Sequence, residues 1–258
     1  MQTAPDAGVQ QTQGNKVWDN IKMLFTTSYY KEQFSGWQIQ NYLLLAFGLG
    51  VLVMNYVASN DFGWVNTLST VGGMIGFSCV NSIAQNKPIN GILGLVSAIM
   101  IIIVAFHATA YNDILMQLSY VLVLDLPIIL YGRAWQSKRI HASSLKEFGL
   151  IVAFFLVVFG ALYYSDTHFF ISKSPLYDAL GAAFGLTGAL SMMLKTKIQT
   201  LWWIGQGIVS IALWADLAMK GATTPTLLVV YILYFSNNLL MLTISPWGMN
   251  IFKKKNKK

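Results

Sequence analysis

Eight apolar stretches, separated by short polar or charged segments, follow one another from residue 42 onward. They run Tyr42–Ala58, Asn66–Ile83, Ile89–Phe106, Ile114–Gly132, Phe148–Tyr164, Tyr177–Leu194, Leu201–Met219 and Thr226–Ile244. Each approaches the ~20 residues a helix needs to cross about 30 Å of hydrocarbon. Backbone amides in hydrocarbon must be paired within a helix or around a closed barrel, and runs this long and uniformly apolar do not suit barrel strands. The pattern predicts an all-α integral membrane protein with eight transmembrane helices.

Ahead of the first span, Asn15 to Gln40 mixes Trp18, Ile21, Leu24, Phe25 and Phe34 with Lys16, Lys22 and Lys31. That mixture reads as an amphipathic segment lying on the membrane surface. Residues 1–15 are polar and lack the basic start and apolar core of a signal peptide.

Composition agrees with the spans. The chain has 258 residues, 55% hydrophobic and 10% charged, where soluble domains carry about 25% charged residues. The net charge of +7 would suit nucleic acid, but the placement of the cations argues otherwise. With the N-terminus and all even-numbered loops on one side, fifteen of the 17 Lys and Arg residues fall there, leaving Lys173 and Lys220 opposite. Such a split orients both termini to the cytoplasm and removes nucleic acid as an expected partner. The single cysteine, Cys79, excludes a disulfide within the chain.

The spans also repeat. Residues 66–135 and 178–247 align at an offset of 112 or 113 and cover three helices each: Leu68, Gly73 and Gly76 fall on Leu180, Gly185 and Gly188, and Leu115, Leu130 and Trp135 on Leu227, Leu242 and Trp247. Around the third and seventh spans the same offset pairs Asn86 with Gln199, Asn90 with Trp203 and Gly94 with Gly207. Three helices are an odd number, so parallel repeats require one linking helix between them. The expected organisation is 1+3+1+3: a tail with the surface segment (1–40), an extra first helix (41–63), a first repeat (64–135), a linker helix region (136–175), a second repeat (176–248) and a basic tail (249–258).

Candidate chemistry lies in the polar residues inside the spans. Amides in hydrocarbon are costly without partners, so Gln199 and Trp203, four apart on one helix face, and Asn86 and Asn90 mark a site shared by two related helices. Gln117, Tyr120 and Asp125 interrupt the fourth span, and Asn237 and Asn238 the eighth. A carboxylate well inside a span is a functional candidate by default; hydrogen-bonded packing is the competing role, as interhelical glue is for the two asparagines. Trp202 is equally suited to anchoring at the membrane interface. The chain has no phosphate-binding glycine loop, no HExxH and no cysteine cluster, and His107, His141 and His168 fall at helix ends or in loops. No catalytic residue, metal site or cofactor is expected.

The run WVNTLSTVGG from Trp64 to Gly73, NGILG from Asn90 to Gly94, Tyr111 with Gln117, and Trp203 with Ser210 together resemble the PnuC family of vitamin transporters, over about Trp64 to Trp247. The resemblance implies a SWEET-like fold of two parallel three-helix repeats and a linker. It also implies transport of nicotinamide riboside by facilitated diffusion in the bacterial inner membrane, with a cytoplasmic riboside kinase trapping the substrate for NAD biosynthesis. A homo-oligomer such as a trimer is an expected assembly. Carried over by position, the substrate-binding residues are Asn86, Asn90, Gln117, Gln199 and Trp203. Two departures stand out: Thr200 replaces the first tryptophan of a Trp-x-x-Trp pattern, and Asp125 stands near the place of a common asparagine.

The leading expectation is a carrier of a flat, partly cationic ring bearing a ribose. Trp203 stacks on the ring, Asn86, Asn90, Gln199 and Asn237 hydrogen-bond its amide and hydroxyls, and Asp125 offsets positive charge. Another vitamin such as thiamine is the alternative cargo; a non-transporting receptor or scaffold is the alternative class, and an intramembrane enzyme ranks third.

Overall fold

The computed structural model of the chain describes residues 17–170 and 172–248; the basic tail and the first sixteen residues lie outside them. A short helix α1 (Thr27–Gln33) precedes eight long ones: α2 (Ile39–Ala58), α3 (Trp64–Ala84), α4 (Asn90–Ala108), α5 (Tyr111–Ser137), α6 (Leu145–Phe170), α7 (Pro175–Met193), α8 (Gln199–Met219) and α9 (Thr226–Ile244). Each lies over an apolar stretch of the sequence. Among the described residues no strand forms beyond an isolated bridge between His141 and Thr196.

Seven of the eight long helices are long and apolar enough to cross a membrane. The exception is α7, whose apolar character is diluted by Asp178, three glycines and two hydroxyl residues. Those small residues are what let it pack tightly, and eleven of its 19 residues are buried. By contrast α6 buries only Ile151 and Asp166, the exposure expected of an apolar helix facing lipid. Local signals fix the ends. Ser144 and Glu147 form a reciprocal capping box at the start of α6, and Pro175 takes a first-turn position in α7, where its missing N–H costs nothing.

Packing ties the two halves together. The third helix of each half packs against the second helix of its own repeat and also against the first helix of the other, α5 on α7 and α9 on α3. Glycines permit this approach. A Cβ on Gly76 of α3 would run into the Tyr234 hydroxyl of α9, and one on Gly185 of α7 into the Tyr120 hydroxyl of α5.

Backbone hydrogen bonds correct the register of the repeat. In the α3–α4 turn, Lys87 N donates to Ser82 O and Asn90 N to Lys87 O; in the α7–α8 turn, Thr196 N donates to Ser191 O and Gln199 N to Thr196 O. Asn86 and Lys195 both sit in the left-handed region, at φ 54° and 57°. The equivalent pairs are therefore Asn86 with Lys195, Asn90 with Gln199 and Gly94 with Trp203, an offset of 109. The offset of 112 holds at the next turns, where Ala110 N donates to Ala105 O and Ala222 N to Leu217 O. Helix α8 has 21 residues and α4 19, so a single offset cannot serve both ends.

The surface segment folds onto the end of the bundle. Tyr29, Gln33 and Trp37 are buried, Gln33 Oε1 accepts from Ile89 N, and Lys87 Nζ donates to Glu32 O. Trp18 and Phe25 remain exposed.

Candidate substrate cavity

Between the halves lies a cavity of about 100 Å³. Both halves build it. The first contributes Gly76, Cys79, Asn90, Gly94, Ser97, Gln117, Tyr120 and Asp125; the second contributes Trp203, Gln206, Tyr231, Tyr234, Asn238 and Met241.

Asp125 reaches the cavity because α5 is not a regular helix. Val121–Asp125 form a π-helical turn just ahead of Pro127. Proline offers no N–H and its ring clashes with the carbonyl four residues back, so the helix widens there, as it often does at functional sites. Close approach needs Gly94, since a Cβ at that position would strike the Asp125 carboxylate. Asp125 is 4% exposed and its Oδ2 has no hydrogen-bond partner among the described residues.

Trp203 projects from the second turn of α8. Gln199, one turn back, accepts from its indole Nε1 at 3.2 Å, Tyr120 meets it edge-on with ring centroids 5.7 Å apart, and Gly188 lies against its face. Asn238 donates to the Trp203 carbonyl at 2.9 Å, which fixes that stretch of α8 against α9. The indole is thus oriented by α5 and α7 besides its own helix. Asn90 donates from Nδ2 to Lys87 O at 2.6 Å, and Gln206 donates to the Met116 thioether at 3.5 Å.

Six of the nine residues singled out in the sequence meet at this wall: Asn90, Gln117, Tyr120, Asp125, Trp203 and Asn238. Three stand away from it. Gln199 is buried behind Trp203, Asn237 donates to Val80 O at 3.1 Å and so joins α9 to α3, and Asn86 belongs to the turn below, where it accepts from Lys195. Trp202 is buried against Phe155 of the linker helix and Phe184 of α7, where it joins the linker to the second half.

The sequence reading did not select Gln206, Tyr231 or Tyr234. Gln206 could have been found, being three residues after Trp203 on the same face. The tyrosines are indistinguishable in sequence from other aromatics of an apolar span.

A second buried polar group bears on Asp125 as the deep carboxylate of the spans. Asp113, Asp166 and Asp178 are also buried. Asp178 has a structural task, accepting from the backbone N–H of Asn112 and of Asp113 at 3.1 and 2.9 Å, which satisfies donors left unpaired at the start of α5. Asp113 accepts from the cavity residue Tyr231 at 3.4 Å. Among the described residues no group of three His, Cys, Asp or Glu could hold a metal ion.

Comparison with known proteins agrees with this architecture. The family described as nicotinamide mononucleotide transporter matches residues 66–247. The nicotinamide riboside transporter PnuC of Neisseria mucosa is 25% identical over 227 residues, covering 84% of each chain. Its namesake from Haemophilus influenzae is 26% identical over 220 residues, 81% of this chain and 91% of that one. A crystal structure of the vitamin B3 transporter PnuC superposes with a TM-score of 0.71 at 22% identity, over 84% of this chain and 94% of that one. The match spans both repeats and every residue of the cavity wall, and the chain belongs to the PnuC-type family of membrane transporters.

Proposed function

We propose that the chain carries nicotinamide riboside across the bacterial cytoplasmic membrane by facilitated diffusion, with phosphorylation in the cytoplasm drawing uptake forward. The observation that carries this reading is the chemistry of the cavity. Among the described residues its wall holds one carboxylate, four amides, an indole and three phenols, and no Lys, Arg or His. A phosphorylated cargo such as the mononucleotide would leave its dianion without a cationic partner in a low-dielectric site, which is prohibitive. A cationic pyridinium with a neutral ribose suits the same wall: Trp203 offers its face, Asp125 offsets the charge, and Asn90, Gln117, Gln206 and Asn238 supply donors and acceptors.

In this reading all eight long helices span the membrane as 1+3+1+3, with α7 sheltered inside the bundle and both termini cytoplasmic. Reporter fusions after Lys173 then lie outside the cytoplasm and fusions after Lys197 inside; the reverse pattern overturns the topology. Assembly as a homo-oligomer such as a trimer belongs to the same proposal.

Purified protein in liposomes held at zero potential tests the transport reading. Labelled nicotinamide riboside equilibrates whether or not a proton or sodium gradient is imposed, and the mononucleotide does not enter. Clamping is needed because one charge feels about 2.3 kcal/mol per 100 mV. Accumulation driven by either gradient rejects passive transport and directs attention to Asp125 and the Asp113–Asp178 group. Thiamine, also a cationic aromatic, belongs in the ligand panel, and its uptake in place of the riboside would reassign the cargo.

A further inference from the structure

Four element ends meet at the Lys- and Arg-rich face of the bundle, and they converge on one buried lysine. Lys195, in the α7–α8 turn, is 2% exposed. Its ammonium lies 3.2 Å from the ring centroid of Trp135 and 4.9 Å from that of Trp247, and it donates to Asn86 Oδ1 at 2.6 Å. Among the described residues no carboxylate pairs with it. The charge is held by two indole faces and one amide oxygen alone.

The placement of the partners matters more than their number. Trp135 ends α5 and Trp247 follows α9, the corresponding third helices of the two halves, and Asn86 and Lys195 occupy the corresponding turns. The clamp therefore staples one half to the other. Behind it, Ile83, Leu124 and Met241 line the cavity and pack in the same apolar cluster as both tryptophans. That layer links the clamp to the cavity wall. All three groups around the ammonium are neutral, and none matches the hydration it would regain in water. The turn itself carries a left-handed, non-glycine backbone at φ 57°, a conformation held by its surroundings.

We propose that Lys195 is the latch of the gate on this face: cargo leaves the cavity here only when its ammonium withdraws from between Trp135 and Trp247. The proposal rests on the reading of the cavity as the transport path.

Cys79 provides the test, because it is the sole cysteine of the chain and lines the cavity. The full chain is placed in sealed vesicles of both orientations and treated with a cationic, membrane-impermeant methanethiosulfonate. Lys195→Met is expected to speed Cys79 labelling from the Lys- and Arg-rich face at least fivefold, with little change from the other face. Trp135→Leu, which leaves the lysine in place, is expected to act in the same direction and decides the matter if Lys195→Met fails to fold. An unchanged rate in a monodisperse variant makes the lysine static glue, and equal acceleration from both faces makes it a general stabiliser; either overturns the proposal. Labelling requires no cargo, so failure here leaves the riboside reading standing, and failure of riboside uptake leaves the labelling result intact.

Discussion

The Lys195 ammonium and the Asn86 amide oxygen, 2.6 Å apart, belong to equivalent turns of the two repeats, so the molecule uses one copy of a turn to bind the other. Their left-handed backbones and matching hydrogen bonds establish the equivalence, while their side chains have diverged into a donor and an acceptor. The result is an asymmetric bond on a near-symmetric scaffold. Asn86, which the sequence placed among the cargo-binding residues, serves this contact instead.

Lys195 should make stability depend on pH. Burial, reinforced by the nearby charge of Lys138, lowers its pKa from the ordinary 10.5 to about 7, against the pull of the two indoles and Asn86 toward the charged form. The folded-state value lies below the unfolded one, so between about pH 7 and 10.5 the unfolded chain binds more protons and folding strengthens as pH rises. Thermal unfolding in detergent should show the wild type gaining on the order of 1 kcal/mol relative to Lys195→Met between pH 7 and 9. Parallel pH curves for the two proteins would rule this out.

Asp125→Asn should weaken binding of the cationic riboside by about 1.5–3 kcal/mol, the range for a hydrogen bond to a charged group. A neutral riboside should lose roughly threefold or less. Calorimetry on both ligands separates the cases, and an equal loss for both would mean that Asp125 only shapes the wall.

Trp203→Ala should cost about 1–3 kcal/mol of binding, the range for a stacked or desolvated aromatic anchor. Trp203→Phe should recover part of it. The helix should persist, since Asn238 bonds the Trp203 backbone carbonyl and not the indole. Aggregation with unchanged affinity in the surviving fraction would assign the indole to packing.

Gly76→Ala and Gly185→Ala should each destabilise by about 1–3 kcal/mol, the usual cost of overpacking. In both cases the added methyl meets a tyrosine hydroxyl of the opposite half. Gly50→Ala is the control: nothing lies near its Cβ, so the substitution should be neutral or gain up to about 1 kcal/mol of helix propensity. Similar melting shifts at all three positions would contradict the cross-packing of α5 on α7 and α9 on α3.

Much of the fold was legible in the chain itself, because lipid imposes a length and a composition on each helix independently of its neighbours. Long apolar runs predicted each helix to within a few residues, and the triplet of spans appeared as a repeat with Trp135 answering Trp247. Residue types announced the cavity too: Asn90, Gln117, Asp125 and Trp203 are expensive in hydrocarbon, and a costly residue needs a reason. What the chain could not reveal was which of those reasons applied. Gln199 and Asn237 have the same chemistry as Asn90 and Asn238, yet the first pair supports and the second lines the cavity, because that depends on helix rotation and on which neighbour approaches. Across α4 and α8 the repeat register changes from 109 to 112, a shift invisible where apolar side chains substitute freely for one another. The sequence reading did not mark the π turn at Val121–Asp125, which sets Asp125 against Gly94. Lys195 read as one more topology-setting cation, since nothing local distinguishes a lysine in water from one held between tryptophans lying 60 residues before it and 52 after it in sequence; that distinction belongs to the tertiary structure alone.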